Sequence, residues 1–176
     1  MHNYIQQATR TESLQFNAGS PRLLHATLGI VTELMEYEDA VDDDNALEEI
    51  GDIYWYVAIA ADELGLTFDE LKEQSPSGVF YHEIVGGLCD VMKRSCFYGV
   101  HTDIPRFTKY IGMLLHWLNW ACKMNDTTPE ERMSAAIDLI RAEVLEEAAK
   151  ECAYHWTPKE CAAAIRALKE DHNDTQ

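Results

Sequence analysis

Glu33-Leu34-Met35-Glu36 and Glu49-Ile50-Gly51-Asp52 are two acidic motifs in which the charged residues stand three positions apart. Three residues of α-helix turn the side chain by roughly 300°, so both acids of a motif lie on one face, with Cβ atoms about 5–6 Å apart. Two such helices joined by a short turn would bring all four acids together. Carboxylates this close repel one another unless cations lie between them, and oxygen ligands suit Mg²⁺ or Mn²⁺. The spacing predicts a metal site formed by Glu33, Glu36, Glu49 and Asp52.

Helix start and stop signals surround both motifs. Ser20 and Pro21 provide an N-cap and a first-turn proline for a helix from about residue 23 to 41. A second helix is predicted over 46–64, because residues 42–45 have turn and capping chemistry and Gly65 stands just past its end. Capping-box spacing predicts helices from about 68, 129 and 158, and apolar periodicity predicts helices over 79–97 and 105–124. Strand signals are essentially absent, so the expected fold is an all-α bundle of about six or seven helices.

Residues 25–36 have a partial counterpart 57 positions later, in which His82, Gly86 and Asp90 stand where the first copy has His25, Gly29 and Glu33. Aligning Gly51 with Gly112 extends the match and sets Tyr110 and Met113 against Glu49 and Asp52. The second copy would then have lost most of its acids. The sequence predicts one all-α domain over 1–176, with a catalytic hairpin at 20–74, a degenerate second hairpin at 78–125 and C-terminal helices at 128–171.

The charge of the chain excludes some classes of partner. It has 14 basic and 31 acidic residues and a formal net charge of −17, which argues against binding nucleic acid or an anionic membrane through a basic surface. No apolar run reaches the roughly 18 residues that a membrane span needs. The five cysteines form no C-x-x-C pair and no signal peptide is recognised, so reduced thiols and a cytoplasmic location are expected.

Residues 21–66 resemble the all-α nucleoside triphosphate pyrophosphohydrolases, the MazG and dimeric-dUTPase superfamily, whose signature is E-x-x-E, a spacer and E-x-x-D. The small MazG-like proteins of phages and bacteria are the most similar group. Residues 90–99 are similar to a K/R-x-x-x-Y-G segment of many relatives, and the resemblance fades after about residue 125. In those relatives this segment follows the first acidic pair in the same hairpin, whereas here it lies in the second. Division of labour between two copies of a hairpin would account for that difference.

The resemblance implies hydrolysis of a (d)NTP between its α- and β-phosphates, giving a nucleoside monophosphate and pyrophosphate. It implies Mg²⁺, with Mn²⁺ as a substitute, held by the four acids named above. One of those acids, such as Glu49, or the neighbouring Glu48, would orient or deprotonate the attacking water. Lys93 and Arg94 are candidates for stabilising charge on the phosphates, and Tyr98 for donating a hydrogen bond to them. A homodimer is also implied, because relatives build their sites across paired subunits.

Other interpretations remain beside this one. A dUTPase-like enzyme would differ only in the hydrogen bonds around the base, which one sequence does not locate. A non-catalytic helical interaction protein could retain the acids from an ancestor. A di-iron carboxylate bundle needs Glu-x-x-His motifs, and no histidine from His25 onward has a glutamate three positions before it.

Burial separates a metal site from an ordinary charged helix face. Most E-x-x-E spacings in an acidic protein are solvated. Here the apolar neighbours Ile50, Ile53 and Val57 should draw Glu49 or Asp52 inward, and a buried acid without a partner is costly. The tryptophans Trp55, Trp117 and Trp120 could stack on a nucleobase, but aromatic residues at helical spacing usually lie in the core, so they are not assigned to the site.

Overall fold

Helix is the regular secondary structure of the described residues, which confirms the all-α prediction. A computed structural model describes residues 9, 13, 15–17, 19–78 and 80–155. Within them lie six helices: α1 (Pro21–Asp39), α2 (Asp43–Leu64), α3 (Phe68–Glu73), α4 (Tyr81–Tyr98), α5 (Ile104–Met124) and α6 (Pro129–His155). No strand occurs among these residues. The helix predicted from about 158 lies outside the described residues.

The ends of the helices are fixed by local hydrogen bonds. Ser20 Oγ accepts a hydrogen bond from the Leu23 amide at 3.2 Å, and the Asp42 carboxylate accepts one from the Asn45 amide at 2.9 Å. Gly65, at φ +67°, ends α2, and Thr67 and Glu70 form the predicted capping box of α3. Helix α2 begins three residues before the predicted start, because Asp42 is the residue that caps it.

Four helices form the core of the first of two compact units, which ends at Met133; the second begins at Ser134. Helix α1 packs along α2 and α4 along α5, while α1 also contacts α4, α2 contacts α5, and the short α3 rests on α5. The largest fully buried apolar side chains include Leu23, Ile30, Ile50, Ile53, Ile84, Leu88, Ile111 and Leu114. Burying one such side chain contributes about 1.5–3 kcal/mol, so this shared interface stabilises the unit. No described helix has the length and apolar character needed to cross a membrane.

In each of the two helix pairs, α1 with α2 and α4 with α5, a glycine of one helix faces a tyrosine ring of the other. A Cβ atom at Gly29 in α1 would overlap the ring of Tyr56 in α2, and one at Gly87 in α4 would overlap the ring of Tyr110 in α5. The absence of a Cβ atom therefore lets the tyrosine ring lie against the backbone of the facing helix.

This contact changes the correspondence between the two pairs. Gly87, and not Gly86, makes the contact equivalent to that of Gly29, and Tyr110 takes the place of Tyr56 and not that of Glu49. Gly112, which the sequence alignment pairs with Gly51, instead packs against the backbone of Leu71 and the side chain of Ser75. Its lack of a Cβ atom is therefore explained by the packing of α5 against α3 and the residues just after it. The duplication itself stays a prediction.

Gly29→Ala should destabilise the protein by about 1–3 kcal/mol, because the added methyl group displaces the Tyr56 ring from a packed interface. Gly86→Ala is the matched control: nothing lies within 4 Å of its Cβ position, so the better helix propensity of alanine should stabilise by up to about 1 kcal/mol. Urea unfolding of both variants measures the difference. Equal stability of the two variants would contradict the proposed role of the glycine–tyrosine contact.

Candidate metal centre

The α1–α2 hairpin brings three of the four predicted metal ligands together. One carboxylate oxygen each from Glu33, Glu36 and Glu49 lies within 4.8 Å of the other two. The turn between α1 and α2 ends at residue 42. Glu36 and Glu49 are equally far in sequence from the point between residues 42 and 43, and so are Gly29 and Tyr56. The short turn and the glycine–tyrosine contact therefore set the register that makes the glutamates meet.

The three glutamates differ in exposure. Glu49 is only 6% exposed, Glu33 is half-buried and Glu36 is exposed. Asn45, one turn before Glu49, donates a hydrogen bond from Nδ2 to its carboxylate at 2.7 Å. Asn45 thus fixes the orientation of the most buried acid, whereas Glu36 faces solvent at the edge of the group.

The group is electrostatically uncompensated. Burial, a shared hydrogen bond with Glu33 and the charges of Glu36 and Glu33 raise the pKa of Glu49 to about 7, and only the Asn45 hydrogen bond opposes them. Within the described residues, no lysine or arginine forms an ion pair with any of the three glutamates. A cation between the carboxylates would reverse this repulsion.

The donor set fits a hard divalent cation. Mg²⁺ binds oxygen at about 2.0–2.1 Å and commonly uses one or two carboxylates together with water. Oxygens 4.8 Å apart or closer need only small side-chain rotations to share one ion. The group contains neither histidine nor cysteine, so Mg²⁺ or Mn²⁺ suits it better than a softer metal.

Asp52, the fourth predicted ligand, lies at the margin of this group. It is half-buried on α2, three residues after Glu49, and it is not one of the three acids whose oxygens converge. Its charge reaches Tyr56, whose pKa is raised first by burial and then by the charges of Glu33, Asp52 and Glu36. Asp52 therefore shares the electrostatic environment of the three glutamates.

Tyr56 is a site residue that the sequence analysis missed. Its ring lies over Gly29 and stands edge-on to His25, with ring centroids 5.4 Å apart. Burial and the nearby carboxylates raise the pKa of Tyr56, and a tyrosine hydroxyl, which is protonated at neutral pH, can donate a hydrogen bond beside the acids. The signal in the sequence is its spacing of four from Asp52, which places both on one face of α2.

The remaining candidates lie apart from the three glutamates. Glu48 is exposed on α2, turned away from Glu49 by roughly 100°. Lys93 and Arg94 are exposed near the end of α4, and Tyr98 is its last residue. Lys93 makes an ion pair with Asp90, with Nζ and the carboxylate 3.2 Å apart.

The direction of α4 accounts for this separation. The end of α4 meets the start of α1, where Ser95 and Gly99 line one cleft with Leu23. Glu33 comes ten residues after Leu23, roughly 15 Å further along α1. Within one chain the structure does not bring Lys93, Arg94 or Tyr98 to the acids.

In the second helix pair, α4 and α5, an acidic residue is neutralised by basic residues. Asp90 in α4 accepts a hydrogen bond from Arg106 in α5 at 2.9 Å and also pairs with Lys93. The hydrogen bond from Arg106, followed by that from Lys93, lowers the pKa of Asp90. Arg106 stands four residues before Tyr110, as Asp52 stands four residues before Tyr56. The second pair therefore carries a neutralised acid, whereas no basic residue among those described forms an ion pair with Glu33, Glu36 or Glu49.

Comparison with family models, with curated proteins and with solved structures found no match to this chain. The chemistry open to the three glutamates therefore follows from their own geometry.

Metal-free protein should lose stability as the pH rises from about 4.5 to about 7. The pKa of Glu49 is raised from 4.5 to about 7 on folding, so the folded state holds the proton more tightly and its advantage disappears once both states are ionised. The loss approaches about 3 kcal/mol, at about 1.4 kcal/mol per pKa unit. Glu49→Gln cannot ionise and should lack this component.

Urea unfolding in a chelator at several pH values, with Glu49→Gln as the reference, isolates this component. Adding Mg²⁺ above pH 7 should stabilise the wild type more than the variant, because the cation favours the ionised carboxylates. A difference between the two proteins that does not change with pH would contradict the repulsion inferred from the structure.

Proposed function

We propose that this chain is a metal-dependent nucleoside triphosphate pyrophosphohydrolase, which cleaves a (d)NTP between the α- and β-phosphates to a nucleoside monophosphate and pyrophosphate. The observation that carries the proposal is the convergence of Glu33, Glu36 and Glu49 without a basic partner among the described residues. The resemblance of residues 21–66 to the MazG and dimeric-dUTPase superfamily supplies the reaction.

Charge explains why metal and substrate would bind together. A nucleoside triphosphate carries about four negative charges and is repelled by three glutamates, so divalent cations must lie between them. When bound, such a cation neutralises phosphate oxygens and lowers the pKa of a water molecule. Metal affinity should therefore rise in the presence of the nucleotide, and nucleotide affinity in the presence of the metal.

The side chains of the hairpin would share the remaining work. Glu33, Glu36 and Glu49 would hold the cation, Asn45 would keep the Glu49 carboxylate in place, and the Tyr56 hydroxyl could donate to a phosphate oxygen. In the reaction, one P–O bond to the oxygen bridging the α- and β-phosphates breaks and one bond to water forms. The proton of that water passes to a carboxylate.

The identity of the proton acceptor depends on the metal. The rise in the pKa of Glu49 to about 7 describes the metal-free site, whereas the proposed reaction requires the cation. As a metal ligand, Glu49 is ionised and its proton affinity falls, so Asp52 or Glu48 is then the better acceptor. Asp52 shares the electrostatic environment of the acids, whereas Glu48 would need to act through a water molecule at the edge of the site.

The predicted phosphate contacts of Lys93, Arg94 and Tyr98 fit this proposal only through a second chain. Within one chain they lie toward the far end of α4, where it meets the start of α1. In a homodimer, which the resemblance implies, the partner could present that end to the acids. Dimerisation would then complete the site.

Wild-type protein with Mg²⁺ or Mn²⁺ should convert several (d)NTPs to monophosphate and pyrophosphate, and Glu49→Gln should reduce turnover by at least about 100-fold. Chromatography of the nucleotide products, together with a pyrophosphate assay, measures both. Glu143→Gln, an exposed member of another E-x-x-E spacing in α6, is the control that should retain full activity. Release of the γ-phosphate alone would contradict the proposed bond cleavage. Absence of hydrolysis with every nucleotide would favour the non-catalytic interpretation.

Mixing variants tests whether the basic residues act across subunits. Arg94→Ala and Glu49→Gln should each be inactive alone, and a mixed dimer should recover up to about a quarter to a half of wild-type activity, because one of its two sites receives both intact residues. The measurement is pyrophosphate release after the two variants are unfolded and refolded together. Full activity of Arg94→Ala alone would remove Arg94 from the site.

A further inference from the structure

An aromatic cleft lies between α1, the start of α4 and the second half of α5. Its volume is about 590 Å³, within the usual size range of small-molecule sites. Six rings line it: Tyr37, Phe80, Tyr81, His116, Trp117 and Trp120. Such a concentration of flat π-surfaces favours a planar ligand.

One side of this aromatic cleft is held in place by other rings. Trp117 stands perpendicular to Tyr37, with ring centroids 5.5 Å apart, and its centroid is 5.3 Å from that of Tyr81. His116 Nε2 lies 3.1 Å from the carbonyl oxygen of Lys72 and 3.2 Å from that of Ser75, so it donates to the last turn of α3 and to the segment just after it. These contacts keep the rings of the cleft ordered before any ligand arrives.

The other side is open to solvent. Trp120 is 54% exposed and Phe80 is 81% exposed. Large apolar rings exposed beside a cavity of this size mark a binding site more often than a plain surface. The expectation that Trp120 lies in the core was therefore wrong. Trp120 comes three residues after Trp117 in α5. Trp117 packs against the core, whereas the side chain of Trp120 lies at the edge of the bundle.

The aromatic cleft and the acidic group lie at the same end of α1. Tyr37, in the cleft, directly follows Glu36, so its side chain is turned from that of Glu36 by roughly 100° and faces α5. Next to Tyr81, His82 Nε2 lies 3.6 Å from the carboxylate of Glu38. Both features therefore occur at the same end of α1, and one extended ligand could contact the two.

We propose that the aromatic cleft binds the nucleobase of the nucleotide whose phosphates are held at the acidic group, and that it does so by stacking. This inference rests on the proposed function. Stacking accepts every base, because each has a π-face, and larger rings stack more strongly. The chain would therefore hydrolyse several nucleotides and favour purines, in contrast to an enzyme specific for dUTP.

Nucleosides without phosphates separate the cleft from the metal site. In the presence of a chelator, adenosine should bind wild-type protein and Glu49→Gln equally well, and more tightly than uridine does, as followed by calorimetry or NMR titration. Trp120→Ala should weaken adenosine binding by about tenfold or more. Met124→Ala is the matched control, because Met124 is also exposed on α5, one turn further on, and is not among the cleft residues. It should bind adenosine as the wild type does.

Steady-state kinetics complete the test. Trp120→Ala should raise the KM for dATP by about tenfold with little change in kcat. Adenosine binding that depends on Trp120, in a protein that hydrolyses no nucleotide, would support the cleft and overturn the proposed reaction. Normal hydrolysis with an unchanged KM in Trp120→Ala would overturn the cleft and leave the reaction intact. A change of oligomeric state in Trp120→Ala by light scattering, without loss of adenosine binding, would assign this surface to a second copy of the chain and overturn the proposal.

Discussion

Mutual repulsion of three glutamates across one helical hairpin is the constraint on which the site depends. Glu49 is drawn inward by the apolar residues that surround it on α2, and the register of the hairpin places Glu33 and Glu36 opposite it. The contact of Tyr56 with Gly29 brings the two helices close enough for this to happen. The apolar core therefore holds together an arrangement of charges that would separate in a free hairpin. Energetically unfavourable arrangements of this kind are common at the binding and catalytic sites of proteins.

The two helix pairs share a close glycine–tyrosine contact but differ in the ion pairs that their acidic residues form. Each pair packs a tyrosine ring against a glycine of the facing helix. In the second pair, Asp90 is neutralised by Arg106 and Lys93, so the charge is satisfied within the chain. In the first pair, Arg22 is paired with Asp62 and Glu63, and no described basic residue forms an ion pair with the three glutamates. The contrast indicates that close packing alone does not require unpaired acids, because the second pair achieves it without them.

Local chemistry made much of the fold predictable. Ser20, Gly65 and Thr67 act on residues within four positions of themselves, so their capping roles could be inferred from spacing. The meeting of Glu33, Glu36 and Glu49 followed from helical periodicity and a short turn. The position of α4 along α1 could not be inferred, because it depends on how the two pairs pack, and it separates Lys93 and Arg94 from the acids. Exposure of Trp120 depends on the same packing. The family resemblance and the assigned reaction remain predictions.

The negative net charge of the chain explains how base stacking at the aromatic cleft would assist the proposed binding of a nucleotide. A protein with a net charge of −17 repels a polyphosphate at a distance, and the proposed cations at the acidic group would offset that repulsion only near the site. Stacking of a neutral base on aromatic rings is little affected by this field. A ligand held first by its base would have its phosphates close to the acids, where the proposed divalent cations would neutralise their charge. Binding at the cleft and binding of metal would then strengthen each other, although the base and the cation make no contact.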